Sequence, residues 1–167
     1  LFQPQLQHRP VIVLSNNDGC IVSRTDEAKQ LGISMAVPYF QAKDLIEKNG
    51  VTTFSSNYHL YGDLSWRVME TMRQLLPPGH VEVYSVDEAF VDLSHLPTEE
   101  IHSFCLELKN KIEQWTGISV SIGAAPNKVL SKVANRLAKK NKLKTNCIVV
   151  LDTTKKIQAA LQQTPVE

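Results

Sequence analysis

Several features that would assign a protein to a class are scarce in this sequence of 167 residues. It has only three cysteines, Cys20, Cys105 and Cys147, whose wide spacing is neither a disulfide framework nor a zinc motif. No apolar run approaches the roughly 18 to 20 residues that a membrane-spanning helix needs. The net charge is only +1 at pH 7, so overall charge favours no kind of partner. The sequence also lacks repeats and low-complexity stretches. These absences leave a globular protein of one domain, or of one domain with a small subdomain.

The first half of the chain is divided into short elements. Residues 11–14 form a short apolar run, and the turn-forming residues 15–19 follow it. Short helices are predicted over residues 26–31 and 39–48, with a strand at residues 51–55. This pattern indicates a small α/β module.

The second half has longer elements in a regular order. Helices are predicted over residues 58–76, 98–115 and 128–140, and strands over residues 81–86, 89–93, 118–124 and 147–151. From residue 81 onward the order is β-β-α-β-α-β. This order predicts an α+β fold in which an antiparallel sheet is covered by helices on one face.

The most informative segment is residues 84–93, where Asp87 and Glu88 interrupt a run that otherwise has the composition of a strand. An ionised carboxylate is costly to bury unless it is paired or binds a metal. At a tight turn between two strands, the two carboxylates can converge and bind Mg²⁺, with waters and substrate phosphates as the remaining ligands. The alternative is an exposed acidic turn, because aspartate is common in turns. These residues alone leave both interpretations open.

A basic segment follows. Seven basic residues and no acidic residue lie between Gly123 and Leu151: Lys128, Lys132, Arg136, Lys139, Lys140, Lys142 and Lys144. Four of them recur every four residues along the predicted helix, for which Asn127 is a suitable N-cap. Such a helix can present a basic edge to polyphosphate or to a nucleic-acid backbone. It can equally be a solvated amphipathic helix.

Taken together and in order, these segments resemble the Y-family (translesion) DNA polymerases, and in particular their UmuC-like bacterial branch. The resemblance extends from Leu1 over nearly the whole chain. It is carried by Pro-Val-Ile-Val-Leu (10–14), Ser-Asn-Asn-Asp-Gly-Cys (15–20), Glu-Ala-Lys (27–29), Leu-Gly-Ile (31–33), Ser-Asn-Tyr (56–58), Tyr-Gly-Asp (61–63), Ser-Val-Asp-Glu-Ala (85–89), Asn-Lys (127–128), Lys-Val-Ala-Asn (132–135) and Ala-Lys-Lys (138–140).

The resemblance implies a fold and a reaction. Residues 10–62 are expected to form a small α/β fingers subdomain, and residues 63–167 a ferredoxin-like polymerase palm. Family members transfer a nucleotidyl group from a dNTP to a primer 3′-OH, directed by a template and assisted by two Mg²⁺ ions. By resemblance, Asp87 is the carboxylate that bridges both ions. Glu88 is a ligand of the ion that activates the primer hydroxyl.

The resemblance also implies a set of nucleotide contacts. Lys29 in the fingers and Lys139 in the palm match basic residues that bind the triphosphate, and Ser23 matches a hydroxyl that can also touch it. Cys20 and Val22 match the fingers surface that covers the nascent base pair. One departure is Asp26, which stands where many family members have a tyrosine.

A further expectation concerns what the family has outside this segment. Its first strand, with another catalytic aspartate and an aromatic steric gate, precedes the segment that matches Leu1, and its thumb and little finger follow the last matching residues. The fragment alone is therefore expected to be inactive or nearly so. The implied setting is error-prone synthesis in the SOS response, in the bacterial cytoplasm and without a membrane. The implied partners are primer–template DNA, a UmuD-type subunit, a RecA filament and the sliding clamp.

Other readings remain. Nucleotidyl and diguanylate cyclases place metal-binding acids on a similar palm-like sheet, but they require a glycine-rich turn, and residues 86–89 contain no glycine. A polymerase-like module that only binds DNA or proteins is a second alternative, although the presence of Lys29, Asp87, Glu88 and Lys139 argues against a decayed site. An unrelated ferredoxin-like interaction domain is the third.

Overall fold

The computed structural model describes residues 2–165. The chain divides between Tyr61 and Gly62 into two compact units. The assignment of residues 10–62 to fingers and of residues 63–167 to palm stays a prediction. Of the residues named in it and in the family resemblance, Leu1, Val166 and Glu167 lie outside the described part of the chain.

The first unit contains a three-stranded sheet of order β2-β1-β3. Strand β1 (Val11–Leu14) is antiparallel to β2 (Ile21–Arg24) and parallel to β3 (Thr52–Ser55). Helices α1 (Asp26–Gln30) and α2 (Tyr39–Lys48) lie between β2 and β3 in sequence, after a short 3-10 helix at Pro4–Leu6 near the start. A parallel pair needs a long connection, and the segment from β1 to β3 provides one.

The core of the first unit follows the period of two along β1. Ile12 and Leu14 are buried, and their neighbours in the strand are only half-buried. The side chain of Thr25 caps α1 by accepting a hydrogen bond from the N–H of Ala28 at 3.4 Å. Buried apolar residues from β2, α1, α2 and the segments beside them complete this core: Ile21, Ala28, Ile33, Ala42, Ile46 and Val51.

The second unit contains most of the longer elements. Its elements are α3 (Tyr58–Leu75, within which the division falls), β4 (Val81–Val83), β5 (Ala89–Val91), α4 (Ile101–Thr116), β6 (Ile122–Ala124), α5 (Lys128–Lys140), α6 (Lys142–Thr145), β7 (Ile148–Val150) and α7 (Thr154–Gln162). A 3-10 turn at Thr98–Glu100 leads into α4. The predicted helices are confirmed, whereas α6 and α7 were not predicted.

The α+β class is confirmed, but the strands of the second unit pair differently from the expected single antiparallel sheet. Among residues 62–165, β4 and β5 form an antiparallel pair, and β6 and β7 form a separate parallel pair. Helix α5 connects β6 to β7, and a helical crossover returns the chain in the same direction, which makes that pair parallel. The strands are also shorter than predicted. After Val83 the chain turns, because the N–H groups of Tyr84 and Ser85 both bond to the carbonyl of Glu88.

Helix α5 approaches β6 unusually closely at Gly123. A Cβ atom at this position would lie less than 3.0 Å from backbone atoms of Ser131, Ala134 and Asn135. The contact face of α5 also has small side chains, since Ala134 and Ala138 are fully buried. Glycine is therefore required for α5 to pack at this distance, and this packing sets the position of the helix's lysines.

Two buried clusters stabilise the second unit. One contains Met69, Met72, Leu76, Leu108 and Ile112, and the other contains Ala134, Leu151 and Ala160. Cys105 is fully buried, and burial raises the pKa of its thiol to about 11, so it acts as a small apolar residue. All three cysteines are free. No helix in residues 2–165 is long and apolar enough to cross a membrane.

Candidate active site

The acidic pair lies in the turn that joins β4 to β5. The N–H groups of Tyr84 and Ser85 donate to the carbonyl oxygen of Glu88 at 3.0 and 2.9 Å, which closes the turn. The hydroxyl of Ser85 donates to Oδ1 of Asp87 at 2.8 Å, and the N–H of Asp87 donates back to that hydroxyl oxygen at 3.3 Å. The turn therefore orients the Asp87 carboxylate by hydrogen bonds of its own.

Two contacts brace this turn against its surroundings. The hydroxyl of Ser65, on α3, donates to the carbonyl oxygen of Val86. The rings of Tyr84 and Phe90 pack edge to face across the hairpin, with their centroids 5.3 Å apart. The turn is thus attached to a long helix and to the adjacent strand. Asp87 remains exposed to solvent, and Glu88 is half-buried.

Lys132 of α5 reaches the acidic turn. Its Nζ donates to Oε2 of Glu88 at 3.1 Å and lies 4.5 Å from the centroid of the Tyr84 ring. The hydrogen bond to Glu88 raises the pKa of Lys132, and the negative charges of Glu88 and Asp87 raise it further. The two side chains are partly exposed, 48% for Lys132 and 33% for Glu88, so water screens their attraction. The contact therefore contributes little to the stability of the fold. Its main effect is to hold the ammonium beside the carboxylate.

The same arrangement recurs one helical turn earlier. Nζ of Lys128 lies 2.7 Å from Oε1 and 2.5 Å from Oε2 of Glu82, and it lies 5.2 Å from the centroid of the Phe90 ring. Helix α5 thus faces the hairpin with two lysines, each in contact with one glutamate and one aromatic ring. Glu88 belongs to the acidic pair, whereas Glu82 lies within β4.

Lys139 lies on the same face of α5. At about 100° per residue, Lys128, Lys132 and Lys139 fall within roughly 40° of one another around the helix axis. Lys139 is about 10 Å beyond Lys132 along that axis, in the last turn of the helix. The structure therefore places Asp87 and Glu88 in one turn, and the predicted phosphate ligand Lys139 on the helix face that contacts the hairpin.

The other predicted nucleotide contacts belong to the first unit, on or beside β2 and α1. The N–H of Cys20 donates to the hydroxyl oxygen of Ser15 at 3.0 Å. Val22 and Ser23 are exposed consecutive residues of β2, so their side chains project from opposite faces of the sheet. Lys29 pairs with Asp26 at 2.6 Å on the surface of α1, an exposed ion pair that holds the lysine only weakly.

The donor set at the acidic turn fits a divalent ion of the Mg²⁺ type. Such ions are commonly bound by one or two carboxylates, with waters and substrate phosphates as the other ligands. Asp87 and Glu88 provide two carboxylates. Within residues 2–165 no group of three or more His, Cys, Asp or Glu side chains is arranged to hold a metal. Two carboxylates leave the other positions of an octahedral ion to waters and to phosphate oxygens.

Two residues of the site had no predicted role. From the sequence, Lys132 is only one of several basic residues, and Tyr84 has no predicted function. The four-residue spacing of Lys128 and Lys132 shows that they share a helix face. It does not show that this face meets the hairpin, because Lys132 and Glu88 are 44 positions apart.

Known proteins resemble this chain in sequence and fold. Residues 1–136 match the impB/mucB/samB family. The protein UmuC of Salmonella typhimurium is 43% identical over 168 aligned positions, which cover 100% of this chain and 39% of UmuC. DNA polymerase IV of Saccharolobus solfataricus is 28% identical over 86% of this chain and 42% of that protein. A solved Y-family DNA polymerase chimera superimposes with a TM-score of 0.80 at 23% identity, covering 98% of this chain and 47% of the chimera.

The fold is thus that of part of a Y-family DNA polymerase. The chain covers about two fifths of the length of these curated relatives. The chain belongs to the impB/mucB/samB family.

Proposed function

We propose that this chain carries the catalytic turn and part of the nucleotide site of a template-directed translesion DNA polymerase. The reaction is nucleotidyl transfer from a dNTP to a primer 3′-OH. The observation that supports it most is the oriented acidic turn of Asp87 and Glu88, faced by the lysines of α5, in a chain of this family.

Within this proposal, Asp87 and Glu88 hold the metal. Two Mg²⁺ ions supply activation of the attacking hydroxyl and stabilisation of the leaving oxygen when they are bound. Asp87 would hold both ions, and Glu88 would hold the one that activates the primer hydroxyl. Ser85 fixes the orientation of Asp87 through its 2.8 Å hydrogen bond, which reduces the reorganisation needed for the carboxylate to act.

The nucleotide contacts are proposed residue by residue from family membership. Lys29 and Lys139 bind the triphosphate, and Ser23 adds a hydroxyl contact. Cys20 and Val22 cover the nascent base pair with small side chains, which leaves room for a damaged template base. Support for these assignments comes from the exposure of Val22 and Ser23 and from the position of Lys139 on the hairpin-facing side of α5.

The biological setting is proposed from family membership and from the 43% identity to UmuC. We place the activity in error-prone synthesis during the SOS response, in the cytoplasm of a bacterium. The substrates are primer–template DNA and dNTPs. The proposed protein partners are a UmuD-type subunit, a RecA filament and the sliding clamp.

A primer-extension assay with Mg²⁺ tests this function, with the full-length parent protein and the 167-residue chain assayed side by side. The parent is expected to add the nucleotide complementary to each of four template bases. The 167-residue chain is expected to add little or none, because two carboxylates, Asp87 and Glu88, hold two divalent ions weakly.

The outcomes separate the alternatives. Turnover of nucleotides by the parent without any template would indicate a cyclase and contradict the polymerase assignment. Robust extension by the 167-residue chain alone would leave the polymerase assignment intact. It would show that the expected inactivity of this segment is wrong.

A further inference from the structure

The two lysine contacts on α5 have the same chemistry but different neighbours. Lys132 contacts Glu88 and the Tyr84 ring, and Lys128 contacts Glu82 and the Phe90 ring. Only the contact of Lys132 includes a member of the acidic turn. If both lysines served only to pack α5 on the hairpin, their replacement would have the same effect on that turn.

The ammonium of Lys132 is bound to the carboxylate that a metal would need. Its ammonium bonds to Oε2 of Glu88 at 3.1 Å, so a divalent ion that uses this oxygen must displace a bound cation. The Tyr84 ring holds the ammonium from another side at 4.5 Å, through a cation–π contact. The ring and the carboxylate together fix the lysine at the turn, and the ring can retain it after Glu88 is released.

We propose that Lys132 is a positioning residue that competes with the divalent ion for Glu88. This inference rests on the proposed metal role of the turn and adds a regulation of that site. While no metal is bound, Lys132 balances the charge of Glu88 and fixes its side chain. When a divalent ion binds, Glu88 exchanges its ammonium partner for the ion, and Lys132 remains against Tyr84. The competition weakens binding of the ion alone, so that stable occupancy depends on the additional oxygens of a phosphate substrate.

The proposal predicts that Lys132→Met binds Mn²⁺ about three- to tenfold more tightly than the wild type. This range is the expected effect of removing one unit charge roughly 5 Å from a divalent ion in a solvent-exposed, partly screened site. Methionine keeps an unbranched, flexible side chain at this position and removes the charge. The measurement is a titration of the 167-residue chain with Mn²⁺, in which free Mn²⁺ is followed by electron paramagnetic resonance.

Lys128→Met is the matched control, because it removes an equivalent contact from the same helix face. Its Mn²⁺ affinity is expected to stay within about twofold of the wild type, since its charge is about 6 Å further along the helix and is screened by salt. An unchanged or weaker affinity in Lys132→Met overturns the proposal. So does an equal gain in Lys128→Met, which would show a general charge effect.

A second readout does not depend on affinity. The chain has four tyrosines, so the ring resonances of Tyr84 can be assigned by nuclear magnetic resonance with labelled tyrosine. Saturation with Mg²⁺ is expected to shift the Tyr84 ring signals in the wild type and in Lys128→Met, but to shift them much less in Lys132→Met. Identical shifts in all three proteins would contradict the exchange.

Glu88→Gln separates this inference from the proposed function. If Mn²⁺ binding is lost in Glu88→Gln while Lys132→Met binds like the wild type, the metal site stands and the role of Lys132 is wrong. If wild type and Glu88→Gln bind Mn²⁺ equally, or neither binds it in the millimolar range, the metal assignment of the turn fails and the inference fails with it.

Discussion

The full-length parent protein carrying Asp87→Asn should incorporate nucleotides about a thousandfold more slowly than the wild type. Asparagine has the size of aspartate and can still accept the hydrogen bond from Ser85, so the turn should keep its shape. It lacks the negative charge that a shared metal ligand supplies. A loss of about 4 kcal/mol of transition-state stabilisation, which is within the range of metal-ion catalysis, corresponds to this factor. The measurement is the single-turnover rate of primer extension with Mg²⁺.

Asp92→Asn is the matched control for that substitution. Asp92 follows the same hairpin, just after β5, and its carboxylate accepts a hydrogen bond from the N–H of Ser94 at 2.8 Å. This hydrogen bond lowers the pKa of Asp92, so its carboxylate is charged at neutral pH. The Asp92→Asn rate should stay within about twofold of the wild type. Equal losses in both variants would show that general negative charge on the hairpin matters, and would contradict the special role of Asp87.

Gly123→Ala should destabilise the second unit by about 3 kcal/mol or more, beyond the usual range for overpacking a core. The new methyl group would meet backbone atoms of Ser131, Ala134 and Asn135 at less than 3.0 Å, and backbone cannot move aside as a flexible side chain can. Helix α5 would have to shift away from β6, exposing Ala134 and moving its lysines relative to the hairpin. Urea unfolding of the 167-residue chain, followed by circular dichroism, measures the change.

Gly62→Ala provides the control for this prediction. Gly62 lies within helix α3, and a Cβ atom at this position meets nothing within 4 Å. Alanine is a better helix former than glycine, so this substitution should stabilise the chain by about 0.5–1 kcal/mol. A Gly123→Ala protein that unfolds at the same urea concentration as the wild type would contradict the close packing of α5 on β6.

The elements that the sequence predicted well are those with local signals at their ends. Helix α5 has the predicted bounds because Asn127 caps its first turn, accepting from the N–H of Leu130 at 2.9 Å, and a strong apolar stripe runs along it. Helix α2 likewise ends at Lys48, where the segment Asn49–Gly50 follows. Strand β2 was not predicted. Its consecutive residues Val22 and Ser23 are both exposed, so β2 lacks the alternation of buried and exposed residues by which a strand is recognised.

The acidic turn could be predicted from the sequence because its geometry is local. Asp87 and Glu88 lie between two short strands, and the hydrogen bonds that orient Asp87 come from residues of the same turn. The contact between Lys132 and Glu88 could not be predicted in this way. It depends on the docking of α5, which depends in turn on the absence of a side chain at Gly123. Helical spacing identified the basic face, but not what that face meets.

The pairing of the strands in the second unit shows a similar limit. The order of elements predicted a sheet covered by helices, but it did not predict that β6 and β7 are parallel. The crossover through α5 makes them parallel. The shortening of β4 was decided by the bonds of Tyr84 and Ser85 to the Glu88 carbonyl. In both cases a tertiary or turn interaction overrode a local preference for extended structure.

Primer extension past an abasic site tests the proposed polymerase activity and the role of Asp87 together. The full-length parent protein is assayed with Mg²⁺ and its proposed partners, wild type beside Asp87→Asn. The wild type is expected to extend the primer past the lesion, and the variant is not. Equal extension by both would show that Asp87 is only a turn residue. No extension by either, with undamaged template also left uncopied, would contradict the polymerase assignment and favour a module that only binds DNA or proteins.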